Sequence, residues 1–236
     1  MLLKLSTIAL LPILIIQGYQ VKKKTPVLPE PQGAREGHVG TGPVLSILIV
    51  GDSAAAGVGV EHQADALSGA LLEELATKFE ITWKLHAKTG HDSAKIIQAV
   101  KQLEQQHYDV VVSSVGVNDV TKLMCPNQWI KKQRELYRYV EQQFTPQLII
   151  ATGVPPMDMF PALPNPLAWL FGQYAKKMNE KLAELVREKS NMQWIEYDIE
   201  QYQQLNLDMA SDGFHPSKAV YALWAKAVAD KITSYD

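Results

Sequence analysis

The chain has 236 residues, 47% of them hydrophobic and 20% charged, which is ordinary globular composition and enough length to bury one sizeable core. A formal charge of -2 supplies no basic surface for nucleic acid, and a single cysteine, Cys125, excludes both an internal disulfide framework and a thiolate metal cluster.

Residues 1–21 differ in composition from the rest. Leu5 to Ile16 is a nearly unbroken apolar run of about a dozen residues, short of the roughly twenty that span a bilayer comfortably. It reads as a membrane-seeking segment, either a retained anchor or a signal peptide, with a soluble amphipathic extension as a third reading. Ile16-Gln17-Gly18 makes a poor cleavage site, which favours retention. Lys22, Lys23 and Lys24 follow the run, and by the positive-inside rule they favour a cytoplasmic domain; the periplasmic or extracellular side stays open. Residues 22–43 hold Pro26, Pro29, Pro31 and Pro43 with four glycines and no apolar periodicity. They are expected to be a linker, or else an arm docked through Val27-Leu28.

From Val44 the chain alternates between two periodicities. Val44 to Gly51 is a continuous apolar run, the mark of a buried parallel strand, and it ends in Gly51-Asp52-Ser53. Leu67, Leu71, Leu75 and Phe79 then predict an amphipathic helix over 65–78, and Ile81, Trp83 and Leu85 a strand with one wetter face. After Thr89-Gly90, Asp92 or Ser93 is placed to cap a helix carrying Ile96, Ile97, Val100 and Leu103. Val110 to Val112 forms a third strand, which ends in Gly116-Val117-Asn118-Asp119. A helix opening at Pro126, a strand at Leu148 to Ile150, a proline-rich loop, a helix over 167–189 and a strand over 193–197 follow. Ser217 caps the last helix. Five strands alternating with helices give a doubly wound, five-stranded parallel sheet with helices on both faces. Domain boundaries of 44–236 follow from this.

In such a sheet ligands bind beyond the carboxyl ends of the strands. Ser53 follows the first strand, Gly90 the second, Asn118 the third and His215 the fifth, so sequence-distant residues share one rim. Each alone has an ordinary reading as a turn, a cap or a surface group. Together they meet the demands of acyl transfer. A serine hydroxyl needs a base, which His215 supplies, and the imidazole needs a carboxylate to hold its tautomer, which Asp212 supplies from the same loop. The developing oxyanion needs fixed donors, which the Ser53 and Gly90 N–H groups and the Asn118 amide offer.

The ordered set Gly51-Asp52-Ser53, Gly90, Gly116-Val117-Asn118-Asp119 and Asp212-Gly213-Phe214-His215-Pro216 is similar to the four blocks of the SGNH hydrolases, also called GDSL lipases and esterases, over roughly residues 44 to 233. Ala54 stands where the short motif has leucine. The resemblance implies a flavodoxin-like three-layer fold and hydrolysis of an ester substrate without metal or cofactor. It also implies Ser53 as nucleophile, His215 as base, Asp212 as its partner, and Ser53, Gly90 and Asn118 as the oxyanion hole. Lysophospholipid-like or other small acyl esters are the expected substrates; a carbohydrate or cell-envelope O-acetyl esterase and a non-catalytic membrane-tethered binding module are the alternatives.

Other motifs do not fit. Ala55 replaces the glycine that a Gly-x-Ser-x-Gly elbow requires, and Gly57-Val58-Gly59 lacks the third glycine of a dinucleotide loop. His62, His86, His91 and His107 have no metal-ligand spacing, although His91 is a candidate to line the cleft. The loop from Val154 to Phe171 is read as folded onto the core or as an apolar wall for an acyl chain. On the second reading Val154, Pro155, Met157, Phe160 and Phe214 bind substrate.

Overall fold

The computed structural model describes residues 2–197, 204–205 and 207–235, so 198–203 inside the expected hydrolase domain lie outside the described residues. In chain order the helices are α1 (Leu2–Lys24), α2 (Ser53–Ala56), α3 (Leu67–Leu75), α4 (Ser93–Gln102), α5 (Val117–Thr121), α6 (Pro126–Phe144), α7 (Leu167–Arg187) and α8 (Lys218–Thr233). The strands are β1 (Glu36–Gly40), β2 (Val44–Gly51), β3 (Glu80–Ala87), β4 (Val110–Ser114), β5 (Leu148–Thr152) and β6 (Met192–Ile195).

These strands form one sheet in the order β1-β3-β2-β4-β5-β6. Strands β2 to β6 are mutually parallel, as the alternation of elements predicts. The sixth strand is β1, which pairs antiparallel with the outer edge of β3. Because side chains alternate across a strand, Leu48 and Val50 of β2 enter one core and Ile47 and Ile49 the other. The first core packs under α4, α6 and α7 and the second under α3 and α8, which gives three layers. Strand β2 has β3 on one side and β4 on the other, so the chain reverses its winding direction there. The carboxyl end of β2, and with it Ser53, lies at the switch point where such sheets open a crevice.

Two helix ends differ from expectation. The helix predicted over 65–78 is shorter, because Ala66 is extended and a separate 3-10 turn, Gln63–Asp65, precedes α3. α1 is one continuous helix whose segment Leu5–Lys24 is long and apolar enough, by length and composition, to cross a membrane. It packs along α7, with Leu14 only 5% exposed.

The proline- and glycine-rich stretch read as a linker contains β1 and a tightly held arm. Hydrophobic docking at Val27 does not occur, since Val27 is 95% exposed. The arm is held by polar groups that carry no periodicity: Glu30 Oε1 accepts hydrogen bonds from the Thr89 backbone N–H and hydroxyl, each at 2.7 Å. Glu30 Oε2 pairs with Arg35 Nη1 at 2.9 Å, and Arg35 Nη2 donates to the Ala87 carbonyl. Glu30→Ala should therefore lower unfolding stability by about 1–3 kcal/mol in urea titrations, the usual loss for charge-assisted hydrogen bonds. A free tether would leave the midpoint unchanged.

Candidate active site

The turn after β2 is built by close approach. A Cβ on Gly51 would sit 2.4 Å from the Ser114 carbonyl oxygen and 2.5 Å from Ala55 Cβ, so only glycine lets β2 pass β4 and enter α2 directly. Asp52 caps α2: its Oδ1 accepts the Ala54 N–H at 3.1 Å. Ser53 is the first residue of α2, where N–H groups have no acceptor within the helix. From the far end of the chain, the Tyr221 hydroxyl of α8 lies 3.0 Å from the Ala54 carbonyl and 2.7 Å from that of Val58, bracing the turn.

The loop before α8 delivers the other two groups. Asp212 has a buried carboxyl whose Oδ1 accepts the backbone N–H groups of Phe214 and His215, both at 2.9 Å, and whose Oδ2 lies 2.5 Å from His215 Nδ1. The ring's Nε2 is 2.9 Å from Ser53 Oγ. Burial alone would raise the Asp212 carboxyl, but the His215 N–H, the His215 ring and the Phe214 N–H outweigh it and hold its pKa below the usual value.

Gly90 and Asn118 stand at the ends of β3 and β4. Gly90 has φ +77°, and a Cβ there would meet no atom within 4 Å, so its glycine answers to backbone conformation and not to protein crowding. Asn118 Nδ2 donates to the His91 carbonyl at 2.9 Å, which ties the two loops together. Asp119, fully buried, adds a second tie by accepting the Ser93 N–H at 3.1 Å and the Ser93 hydroxyl at 2.7 Å. Gln133 Nε2 donates to the same Ser93 oxygen at 2.9 Å.

A cavity of about 340 Å³ opens beside Ser53 and His215. Val154, Pro155, Phe160 and Phe214 line it, as expected, together with Val115, Val117, Pro156, Pro161, Val220 and Trp224. Met157 does not. The 3-10 turn Met157–Met159 rotates it into the core, where it is fully buried, and turns Met159 to the cavity instead. His91 is not among the lining residues either; its carbonyl serves Asn118. The wall is anchored by Asn179 of α7, which accepts the Val154 N–H and donates to the Val154 carbonyl, both at 2.8 Å. Of the groups that motif reading passes over, Asp52 had a sequence signal, an acidic residue just before a helix. Glu30, Asn179 and Tyr221 had none.

Residues 49–223 match a sequence model of the GDSL-like lipase/acylhydrolase family, and with well over half its length covered the chain belongs to that family. Solved structures of the same fold include a lipolytic G-D-S-L family protein from Veillonella parvula, 14% identical with TM-score 0.66, matched over 80% of this chain and 99% of that one. TesA is 16% identical with TM-score 0.63, over 81% of this chain and 99% of its own. Axe2, an acetylxylan esterase from Geobacillus stearothermophilus, is 16% identical with TM-score 0.57, over 80% and 94%. No curated protein matches the sequence.

Asp52 makes the site sensitive to pH. Complete burial raises its pKa to about 7 despite the Ala54 N–H, and the nearby Asp119 charge adds to the rise. A carboxyl raised on folding contributes stability in full below its unfolded pKa and loses it as pH climbs through the folded value. At about 1.4 kcal/mol per pKa unit, Asp52→Asn should gain roughly 2–3 kcal/mol relative to wild type between pH 5 and pH 8. Chemical denaturation at the two pH values reads this directly; a constant difference would place the Asp52 titration elsewhere.

Proposed function

We propose that this chain is a serine ester hydrolase of the SGNH type, forming an acyl-enzyme with small acyl esters of the lysophospholipid kind. The observation that carries the reading is the hydrogen-bond line from Asp212 through His215 to Ser53, 2.5 and 2.9 Å long, opening on an apolar cavity.

In the first half-reaction Ser53 Oγ bonds to the ester carbonyl carbon while His215 Nε2 takes the hydroxyl proton. The carbonyl electron pair moves onto oxygen. Asp212, whose carboxyl is held ionised, keeps the Nδ1–H tautomer and offsets the imidazolium charge. The N–H groups of Ser53 and Gly90 and the Asn118 amide stabilise the oxyanion. One hydrogen of that amide is held by His91, which fixes the plane in which the second can donate. Collapse expels the alcohol with the proton from His215, and water, deprotonated by the same ring, releases the acid.

The cavity has room for on the order of ten water-sized units, far more than an acetyl group fills. This supports an acyl chain of several carbons over the carbohydrate O-acetyl reading. We take residues 44–236 as the hydrolase unit, the arm from Glu30 as bound to it, and residues 1–21 as a retained membrane-seeking segment.

Ser53→Ala should abolish hydrolysis of a short-chain p-nitrophenyl ester and reaction with a fluorophosphonate probe while leaving the melting transition in place; a labelled variant would remove Ser53 from the mechanism. Asn118→Ala should lower kcat by on the order of a hundredfold with little change in KM. Across an ester series kcat/KM should climb with each buried methylene, worth about 0.8 kcal/mol, and an optimum at acetyl would favour the O-acetyl alternative.

A further inference from the structure

α1 has two faces that ask for different surroundings. Leu3, Thr7, Leu10, Leu14, Gln17 and Val21 recur at alternating steps of four and three and so form one seam. Leu14 is buried in the core under α7, and Leu3, Leu10 and Val21 pack against it. The polar members of the seam are also engaged: Thr7 Oγ1 lies 3.2 Å from the Tyr174 hydroxyl. Gln17 Nε2 donates to the Asn165 carbonyl at 2.7 Å, and its Oε1 accepts the Leu167 N–H at 3.1 Å. That N–H opens α7 and has no acceptor within the helix, so Gln17 caps α7 from a different segment.

The opposite face is apolar and bare. Leu5, Ile8, Ile15, Ile16 and Tyr19 are each more than half exposed, and Lys22, Lys23 and Lys24 follow at the exposed end. Water does not suit so long an apolar face. Crossing a bilayer does not suit the seam, because it would strip Leu14 from the core and uncap Leu167. A helix lying in a membrane interface needs one apolar face and one polar one, and here the docked domain stands in for the polar face. The lysines match anionic headgroups. Exposed Tyr19 and Trp169 are the residue types favoured at that depth.

We propose that α1 stays docked on α7 and rests its outward face on an anionic lipid surface, seating the domain flat on a membrane instead of hanging it from a spanning helix. The seat is close to the cavity. Gln17 grips the end of the loop whose earlier part walls the cavity, and exposed Met159 lies six residues before Asn165, a reach of at most about 20 Å.

The full chain should sediment with vesicles of phosphatidylcholine and phosphatidylglycerol, and less with phosphatidylcholine alone. Ile8→Glu/Ile15→Glu, and separately Tyr19→Glu, should release it while keeping the wild-type melting transition and the same rate on a soluble short-chain ester. Vesicle binding that survives these changes would overturn the proposal, as would a wild-type chain that ignores vesicles and instead forms a dimer that the same substitutions dissolve. Topology is read with Lys4→Cys and Lys177→Cys in one chain on a Cys125→Ser background, reconstituted into sealed vesicles. An impermeant maleimide should add two labels or none to each chain, whichever way it faces. Chains carrying a single label would mean that α1 crosses the bilayer. Both readouts are independent of esterase activity, so the proposal can fail while the catalytic reading stands, and the reverse.

Discussion

The 2.9 Å contact between His215 and Ser53 joins positions 162 residues apart, and the rest of the architecture exists to keep those two atoms together. One partner sits where β2 runs into α2 with no room for a side chain at Gly51. The other hangs on the loop that precedes α8, where an isolated antiparallel bridge joins Met209 to Pro216. The loop is rigid because Asp212 spends one carboxyl oxygen on two backbone N–H groups and the other on the ring. The fold then closes the circuit through Tyr221, four residues beyond the Ser217 cap, whose hydroxyl reaches back to the turn that carries Ser53. A side chain outside the proposed chemistry thus braces the turn on which that chemistry rests.

The same logic governs the loops that follow β3 and β4. Gly90 and Asn118 belong to separate crossovers, and nothing local fixes one against the other. The ties from Asn118 to the His91 carbonyl and from Asp119 to Ser93 do so, while Glu30 holds Thr89 from the arm. In the proposed mechanism these loops carry oxyanion donors, which are useful only when they need not move during reaction, so the ties matter through the geometry they hold. Burying Asp52 and Asp119 is the electrostatic cost of this arrangement: desolvation raises the pKa of both, with the Asp119 charge adding to the rise at Asp52 and the Asp92 charge to that at Asp119.

Much of this was readable from residue order. Hydrophobic periodicity, switching between two and about four, located β2 to β6 and the main helices, because a two-sided sheet demands continuous apolar strands. The rim rule then paired Ser53 with His215 without coordinates, and it offered Gly90 and Asn118 as candidates on the same rim. What stayed hidden shares a cause. β1 has the pattern Glu-Gly-His-Val-Gly and lies at an edge with most of its residues exposed, so no apolar alternation marks it. Glu30, Asn179 and Tyr221 act through two or three hydrogen bonds each, reaching segments distant in sequence, which leave no repeat to read. Met157 and Met159 are chemically identical, and only the turn between them decides which meets the cavity. The docked seam of α1 leaves no mark in the sequence because the helix is apolar all round, so its inward positions do not stand out.

The edge strand carries a practical consequence for how the molecule can be divided. β1 covers five positions along the rim of β3, from Glu80 to Lys84, with the chain's own backbone. A protein trimmed to begin at Val44, where its motifs begin, would lay that row of amides and carbonyls open to any passing strand, including the same one on a sister molecule. The unpromising stretch of prolines and glycines ahead of the motif blocks therefore keeps the outer edge of β3 paired within the chain.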